Sequence, residues 1–183
     1  MDEKELAERC SKGENQARKR LYEQYSGQLM AICLRYTGER ESAEDVLHDG
    51  FLKIFCSIRS FSYQGEGSLS AWLSRVMANE ALNFMRRQKK TLKDEVPMEQ
   101  LPDVSDEESD VDQLPPKVLM KFIRELPDGY RTVFNLFVFE EKTHKEIASI
   151  LGITEHASSS QFFRARMLLM KRIKEYKETT RLI

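Results

Sequence analysis

At 183 residues the chain is long enough for one domain or for two small ones, and 32 % charged with 40 % hydrophobic residues suits a soluble globular protein. No apolar run is long enough to span a bilayer, and the charged start Met1-Asp2-Glu3-Lys4-Glu5 lacks the apolar core of a signal peptide, so no membrane insertion and a cytoplasmic location are expected. Cys10, Cys33 and Cys56 are odd in number and widely spaced, with no CxxC or Cys/His cluster, so free thiols and no metal site are expected.

The chain reads as all-α, since no segment shows the period-2 alternation of a strand. A first helix is expected from about Lys4 to Ser11, ending near Gly13. A long one runs from about Asn15 to Thr37, with Leu21, Tyr25, Leu29, Ile32 and Tyr36 at core spacing, and Gly38 stops it. Ser42 is the expected cap of a third helix carrying Val46, Leu47, Phe51, Ile54 and Phe55. Gly50 inside that helix costs about 1 kcal/mol relative to Ala, so packing must hold it. Residues 58–67, with Gly65 and Gly67, read as a loop, and a fourth helix runs from near Ser68 to about Lys89.

From Thr91 to Pro116 the periodicity vanishes. Pro97, Pro102, Pro115 and Pro116 and the run Ser105-Asp106-Glu107-Glu108-Ser109-Asp110 mark a flexible acidic linker. Two small helical domains, 1–90 and 117–183, flank this linker over 91–116. Charge follows the same division: 15 Lys+Arg against 13 Asp+Glu in the first domain, one against nine in the linker, and 13 against 8 in the second domain. A basic end suits phosphate contact, whereas an acidic middle repels it.

In the second domain a helix from Lys117 to Leu126 ends before Pro127, and Asp128 opens another through Tyr130, Val133, Phe134, Phe137 and Val138. Thr143-His144-Lys145-Glu146 has the spacing of a capping box. A short helix follows through Ile147, Ala148 and Leu151. Gly152 supplies the positive φ of a tight helix exit, and Thr154 caps a longer helix. At about 100° per residue, Ser158, Phe162, Ala165, Leu169 and Ile173 fall on one side of that helix. Ser159, Ser160, Phe163, Arg164, Met167 and Lys171 fall on the other. A short helix, a glycine turn and a long basic helix make a helix-turn-helix whose second helix can enter the DNA major groove; the plainer alternative is a solvated amphipathic helix. His156 at its start either donates to a phosphate or is simply exposed. Phe163 either touches a thymine methyl or packs on the preceding helix.

The fourth helix carries a second constellation. Leu69, Leu73, Met77, Ala81 and Phe84 make an ordinary core face, while Trp72, Arg75, Asn79, Asn83 and Arg86 spread over only about 80° on a different side. Asn can pair with base edges, Arg with phosphate, and an aromatic ring can stack on an unpaired base. The loop before it holds Phe61, Tyr63 and Gln64, which together could form a pocket for an extruded base. The alternative is that Trp72 belongs to the core and the Asn residues are incidental.

Together these features resemble the extracytoplasmic-function (ECF) sigma factors of bacterial RNA polymerase, over nearly the whole chain. Ser42-Ala43-Glu44-Asp45-Val46-Leu47-His48-Asp49-Gly50-Phe51 is similar to the family's acidic Ala-Glu-Asp helix. Ala71-Trp72-Leu73-Ser74-Arg75-Val76-Met77-Ala78-Asn79 is similar to its Trp-Leu…Arg…Asn helix, which ends here in Arg86-Arg87. Leu126-Pro127-Asp128-Gly129-Tyr130-Arg131 and Phe163-Arg164-Ala165-Arg166 match typical segments of the second domain. The resemblance implies a transcription initiation factor with core RNA polymerase and promoter DNA as partners, and an anti-sigma factor holding it inactive. Glu44, Asp45, His48 and Asp49 would dock on the polymerase clamp. Phe61, Trp72, Arg75, Asn79, Asn83, Arg86 and Arg87 would capture the melted −10 element. Ser159, Ser160, Phe163 and Arg164, with His156, Arg166 and Lys171, would contact the −35 duplex. The acidic linker would thread the channel that RNA later occupies. The chain departs from the family pattern at His48-Asp49, where Gln-Glu is usual, and at Ser158, where a small apolar residue is usual.

A stand-alone helix-turn-helix regulator with a helical sensor domain is the competing reading. It would bind a short duplex by itself, often as a dimer. No nucleophile–base pair, metal-ligand spacing or phosphate-binding glycine loop is visible, so neither an enzyme nor a cofactor is expected.

Overall fold

In a computed structural model the chain is helical, and the structure describes residues 2–88 and 114–181; no strand occurs among the described residues. The expected linker falls outside them apart from Leu114, Pro115 and Pro116. Two compact units are formed, Met1–Phe84 and Met85–Ile183.

The first unit begins with α1 (Glu3–Ser11), α2 (Asn15–Thr37) and α3 (Arg40–Ser57). A 3-10 turn at Ile58–Ser60 follows, and α4 (Ser68–Arg87) starts in this unit. Asp2 caps α1, its Oδ1 accepting from the Glu5 amide at 2.7 Å. Gly38 ends α2 with φ 78°, where a side chain would be strained. The structure corrects the expected start of α3. The helix begins at Arg40 after a Glu39 cap residue that makes no side-chain cap bond, so Ser42 lies within the first turn rather than capping it. The cause is the corner itself. Gly38 reverses the chain in one step, and the Thr37 hydroxyl binds the carbonyls of Cys33 and Glu39 at 3.1 and 3.0 Å. The next helix can then start at once.

α2 packs on both α1 and α3. Leu6, Cys10, Leu21, Leu29, Tyr36, Val46, Ile54, Leu69, Leu73 and Met77 are buried, while Phe84, expected in the core face, is only half-buried. α4 is fixed to its neighbours by polar contacts as well. Gln28 Nε2 on α2 donates to Ser70 and Ser74, both at 3.0 Å, and Lys53 on α3 pairs with the buried Glu80 at 3.5 Å. Gly50 is what lets α4 come close to α3, because a Cβ at that position would overlap Sδ and Cε of Met77.

The second unit holds α5 (Pro116–Arg124), α6 (Asp128–Val138), α7 (His144–Leu151) and α8 (Glu155–Arg181). α5 stops two residues before the expected Leu126. Leu126 instead turns into the core with Ile123, Tyr130, Ala165 and Leu169. Arg131, only 4 % exposed, makes that corner possible. Its Nη1 donates to the carbonyls of Arg124 and Leu126 at 3.0 and 2.6 Å, and its Nη2 pairs with Asp128. A buried guanidinium thus satisfies carbonyls that the end of α5 leaves without helical partners. The capping box at Thr143 is complete, Gly152 adopts φ 68°, and Thr154 Oγ1 accepts from the Ala157 amide at 3.0 Å. The short helix, glycine turn and long helix therefore form as the sequence implies.

Candidate nucleic-acid interface

On α4 the expected stripe is accessible. Arg75, Asn79, Arg86 and Arg87 are exposed, and Trp72 and Asn83 are half-buried. Trp72 is not a core residue; its ring leans on Phe61 with centroids 5.5 Å apart. The structure thus joins the loop and the helix through the two aromatic side chains that the sequence singled out. Glycine turns and one serine shape the loop between them. Ser68 Oγ donates to the Gly65 carbonyl at 2.6 Å and accepts from the Gln64 amide at 3.2 Å. Phe61, Ser62 and Tyr63 line an open cavity of about 350 Å³ together with Lys4, Ser11 and Arg59. Tyr63 is 41 % exposed.

Sequence reading missed Glu3. Its Oε2 accepts from the amides of Gly67 and Leu69 at 2.9 and 3.3 Å, and its Oε1 from the Tyr25 hydroxyl at 3.1 Å. Burial, with the Glu3 carboxylate alongside, pushes the Tyr25 hydroxyl up to about 12. No spacing rule links residue 3 to residue 67, so only the folded chain could reveal the pairing.

On α3, Glu44, Asp45, His48 and Asp49 are all exposed, while Ala43, Val46, Leu47 and Gly50 are buried. The acidic set therefore forms one outward face. Arg40 Nε lies 2.7 Å from Glu44 Oε1 at its edge.

On α8, His156, Ser159, Arg166 and Lys171 are exposed, and Ser160 and Arg164 are half-buried. Phe163 is 56 % exposed. The ring that packs on the preceding helices is its neighbour Phe162, whose centroid lies 4.3 Å from Phe137, 6.0 Å from Phe134 and 5.8 Å from His144. Ser158 is fully buried, its hydroxyl 3.0 Å from His144 Nδ1, so a polar pair joins α7 to α8. Met167 corrects the helical-wheel reading. Expected on the outward side, it is 8 % exposed, as is Gln161. Three helices, α5, α6 and α7, pack on α8.

The basic excess of this unit is also smaller at the surface than the count suggests. Arg131 is internal. Arg172 donates to the carbonyls of Phe122 and Glu125 at 3.1 and 3.3 Å and pairs with the Glu125 carboxylate at 3.2 Å. Arg164 Nη1 donates to the Tyr130 hydroxyl at 3.3 Å. Lys171 stands 4.0 Å from Glu175, an exposed pair that is easily exchanged for a phosphate.

Among the described residues no group of three or more His, Cys, Asp or Glu is placed to hold a metal ion, and no helix is long and apolar enough to cross a membrane. All three cysteines are free thiols, Cys10 and Cys33 buried and Cys56 exposed.

Residues 21–91 match the model of sigma-70 region 2, and residues 112–169 match that of sigma-70 region 4. The ECF RNA polymerase sigma factor SigM of Bacillus subtilis is 29 % identical over 152 residues, which cover 81 % of this chain and 90 % of the relative. The ECF RNA polymerase sigma-E factor of Haemophilus influenzae is 27 % identical over 180 residues, covering 92 % and 93 %. Among solved structures, the sigma factor RpoE of Bartonella quintana, in complex with the anti-sigma factor NepR, is similar with a TM-score of 0.47 at 22 % identity, over 85 % of this chain and 96 % of that one. The two matched regions fall in order on the two helical units and take in the acidic face of α3, the Trp72–Asn79 stripe and most of the helix-turn-helix. The chain belongs to the extracytoplasmic-function sigma factors of bacterial RNA polymerase, which direct promoter-specific transcription.

Proposed function

We propose that the two units divide promoter recognition between them. Residues 1–90 bind core polymerase and capture the melted −10 element, residues 117–183 read the −35 element as duplex, and residues 91–116 thread the polymerase as an acidic tether. The chain acts as a specificity subunit without catalysis of its own. It works in the cytoplasm, and an anti-sigma factor is its expected restraint.

Energetics favours this division. Opening a duplex costs about 1.4 kcal/mol per base-pair step in stacking, and the chain has no nucleotide-hydrolysing loop to supply it. Trapping unpaired bases offsets part of that cost, since stacking a base on an aromatic ring contributes about 1–3 kcal/mol. The observation that carries the reading is the Phe61–Trp72 pair beside the exposed Asn79 and Arg75, an aromatic platform with amide and cationic groups on one accessible side. Phe61 and Trp72 would stack on extruded bases, Asn79 and Asn83 would pair with base edges, and Arg75, Arg86 and Arg87 would hold phosphates. On α8, Ser159, Ser160, Phe163 and Arg164 would contact base edges, with His156, Arg166 and Lys171 on the flanking phosphates. Glu44, Asp45, His48 and Asp49 would meet a basic surface of the polymerase.

A gel-shift assay with and without core polymerase tests the reading. A promoter duplex taken from run-off selection with the holoenzyme should shift weakly with the chain alone and strongly once core enzyme is added. Tight, dimeric binding to duplex by the chain alone would favour a stand-alone helix-turn-helix regulator and defeat the proposal.

A further inference from the structure

Helix α1 lies ahead of the residues matched by sigma-70 region 2, yet it holds both ends of the loop that carries Phe61 and Tyr63. At the far end, Glu3 receives the amides of Gly67 and Leu69, and Leu69 lies in the first turn of α4, whose donors have no helical partner. At the near end, Arg59 Nε donates to the Ser11 carbonyl at 3.2 Å, two residues before Phe61. The other oxygen of Glu3 is held by Tyr25 on α2, which is 5 % exposed, so the carboxylate is itself anchored. Between these ties the loop is closed locally by Ser68, which bonds the Gln64 amide and the Gly65 carbonyl. Gly65 and Gly67 take φ 118° and 84°, conformations that glycine adopts without the strain a side chain would bring. A carboxylate at a helix start accepting two backbone amides is a strong restraint, because the acceptor is charged and the helix dipole favours it.

Capture of an unpaired base needs its pocket formed in advance, since any ordering left to the moment of binding subtracts from affinity. Resting on the −10 reading above, we infer that Glu3 is a positioning residue for that capture. It touches no base. It fixes the start of α4 and the end of the loop, so that Phe61 meets Trp72 and Tyr63 stands over the cavity shared with Lys4 and Arg59.

Holoenzymes carrying Glu3→Ala, Glu3→Gln or Asn79→Ala test the inference, with the selected promoter as probe. Three quantities are measured: affinity for the single-stranded −10 oligonucleotide, affinity for core polymerase, and hydrogen exchange of the Gly67 and Leu69 amides. Glu3→Ala should weaken oligonucleotide binding about tenfold, leave core affinity unchanged and speed exchange at both amides. Glu3→Gln keeps a carbonyl that can accept from the same amides, and should restore most of the binding. Unchanged oligonucleotide binding in Glu3→Ala, with a clear loss in Asn79→Ala, overturns the inference alone. An equal loss of oligonucleotide and core affinity in Glu3→Ala also overturns it, because a general loosening of the unit would then be the cause. No loss in either variant overturns the −10 reading, and the positioning role with it.

Discussion

Replacing Gly50 with Ala sets two effects of similar size against each other. In a helix interior Ala is favoured over Gly by about 1 kcal/mol. At this position, however, the new methyl group would overlap Sδ and Cε of Met77, a side chain that is 0 % exposed. The flexible end of Met77 has to turn aside inside a filled core, and overpacking of that kind costs about 1–3 kcal/mol. The net expectation for Gly50→Ala is a loss of up to about 2 kcal/mol. The sign should reverse once the obstacle is removed. In a Met77→Ala background the methyl group enters vacated space, and Gly50→Ala should stabilise by about 1 kcal/mol. Urea unfolding of the four variants, followed by fluorescence of the single tryptophan Trp72, reads the unit concerned. If Gly50→Ala costs the same in both backgrounds, Met77 is not the reason for the glycine, and the close approach of α3 and α4 is wrongly explained.

Thr143→Ala removes the hydroxyl that accepts from the Glu146 amide at 3.2 Å, and should cost about 1 kcal/mol in thermal or urea unfolding followed by circular dichroism. The Thr143 amide and hydroxyl hold the Glu146 carboxyl below its ordinary 4.5, so the stability from this box is present above that value and fades as pH falls through the lowered one. Glu146→Gln should therefore flatten the acid side of the stability profile, and Thr143→Ala only part of it because the amide at position 143 still donates; an unchanged profile in Glu146→Gln would refute the assignment. Burial pushes the Cys10 thiol up to about 11 and the Cys33 thiol up to about 12, so at pH 8 both stay neutral while the exposed Cys56 reacts. A colorimetric thiol titration should show one fast equivalent before unfolding, and three fast equivalents would contradict the burial. Arg164→Ala should weaken −35 binding by about 1–3 kcal/mol at one base position if the guanidinium reads a base. A loss that is uniform across a mutant duplex series would make it a phosphate contact.

Much of the architecture was legible because local signals agreed with the packing. Asn15–Thr37 was bounded by core periodicity and Gly38, and the helix-turn-helix by a capping box, Gly152 and Thr154. Errors arose where a distant partner decided the outcome. Ser42 looked like a cap, but Gly38 and Thr37 let α3 start earlier. Met167 looked outward but is 8 % exposed, because a wheel drawn for one helix takes no account of what packs on it. Arg131 and Arg172 were counted toward a phosphate-binding surface, yet both serve backbone carbonyls around the end of α5. Within the candidate site, Trp72, Asn79 and Phe61 could be found because Asn and aromatic residues on an exposed face are unusual. Glu3 could not, since its partners are backbone amides more than sixty residues away.

The claim on which the account depends is that the first unit traps separated strands. Permanganate oxidation of unpaired thymines in the −10 stretch of the selected promoter, compared between wild-type and Asn79→Ala holoenzymes, tests it most directly. The account predicts reactive thymines with the wild-type chain and loss of that reactivity in Asn79→Ala, while core binding and protection of the −35 duplex are retained. Full thymine reactivity in Asn79→Ala would contradict it.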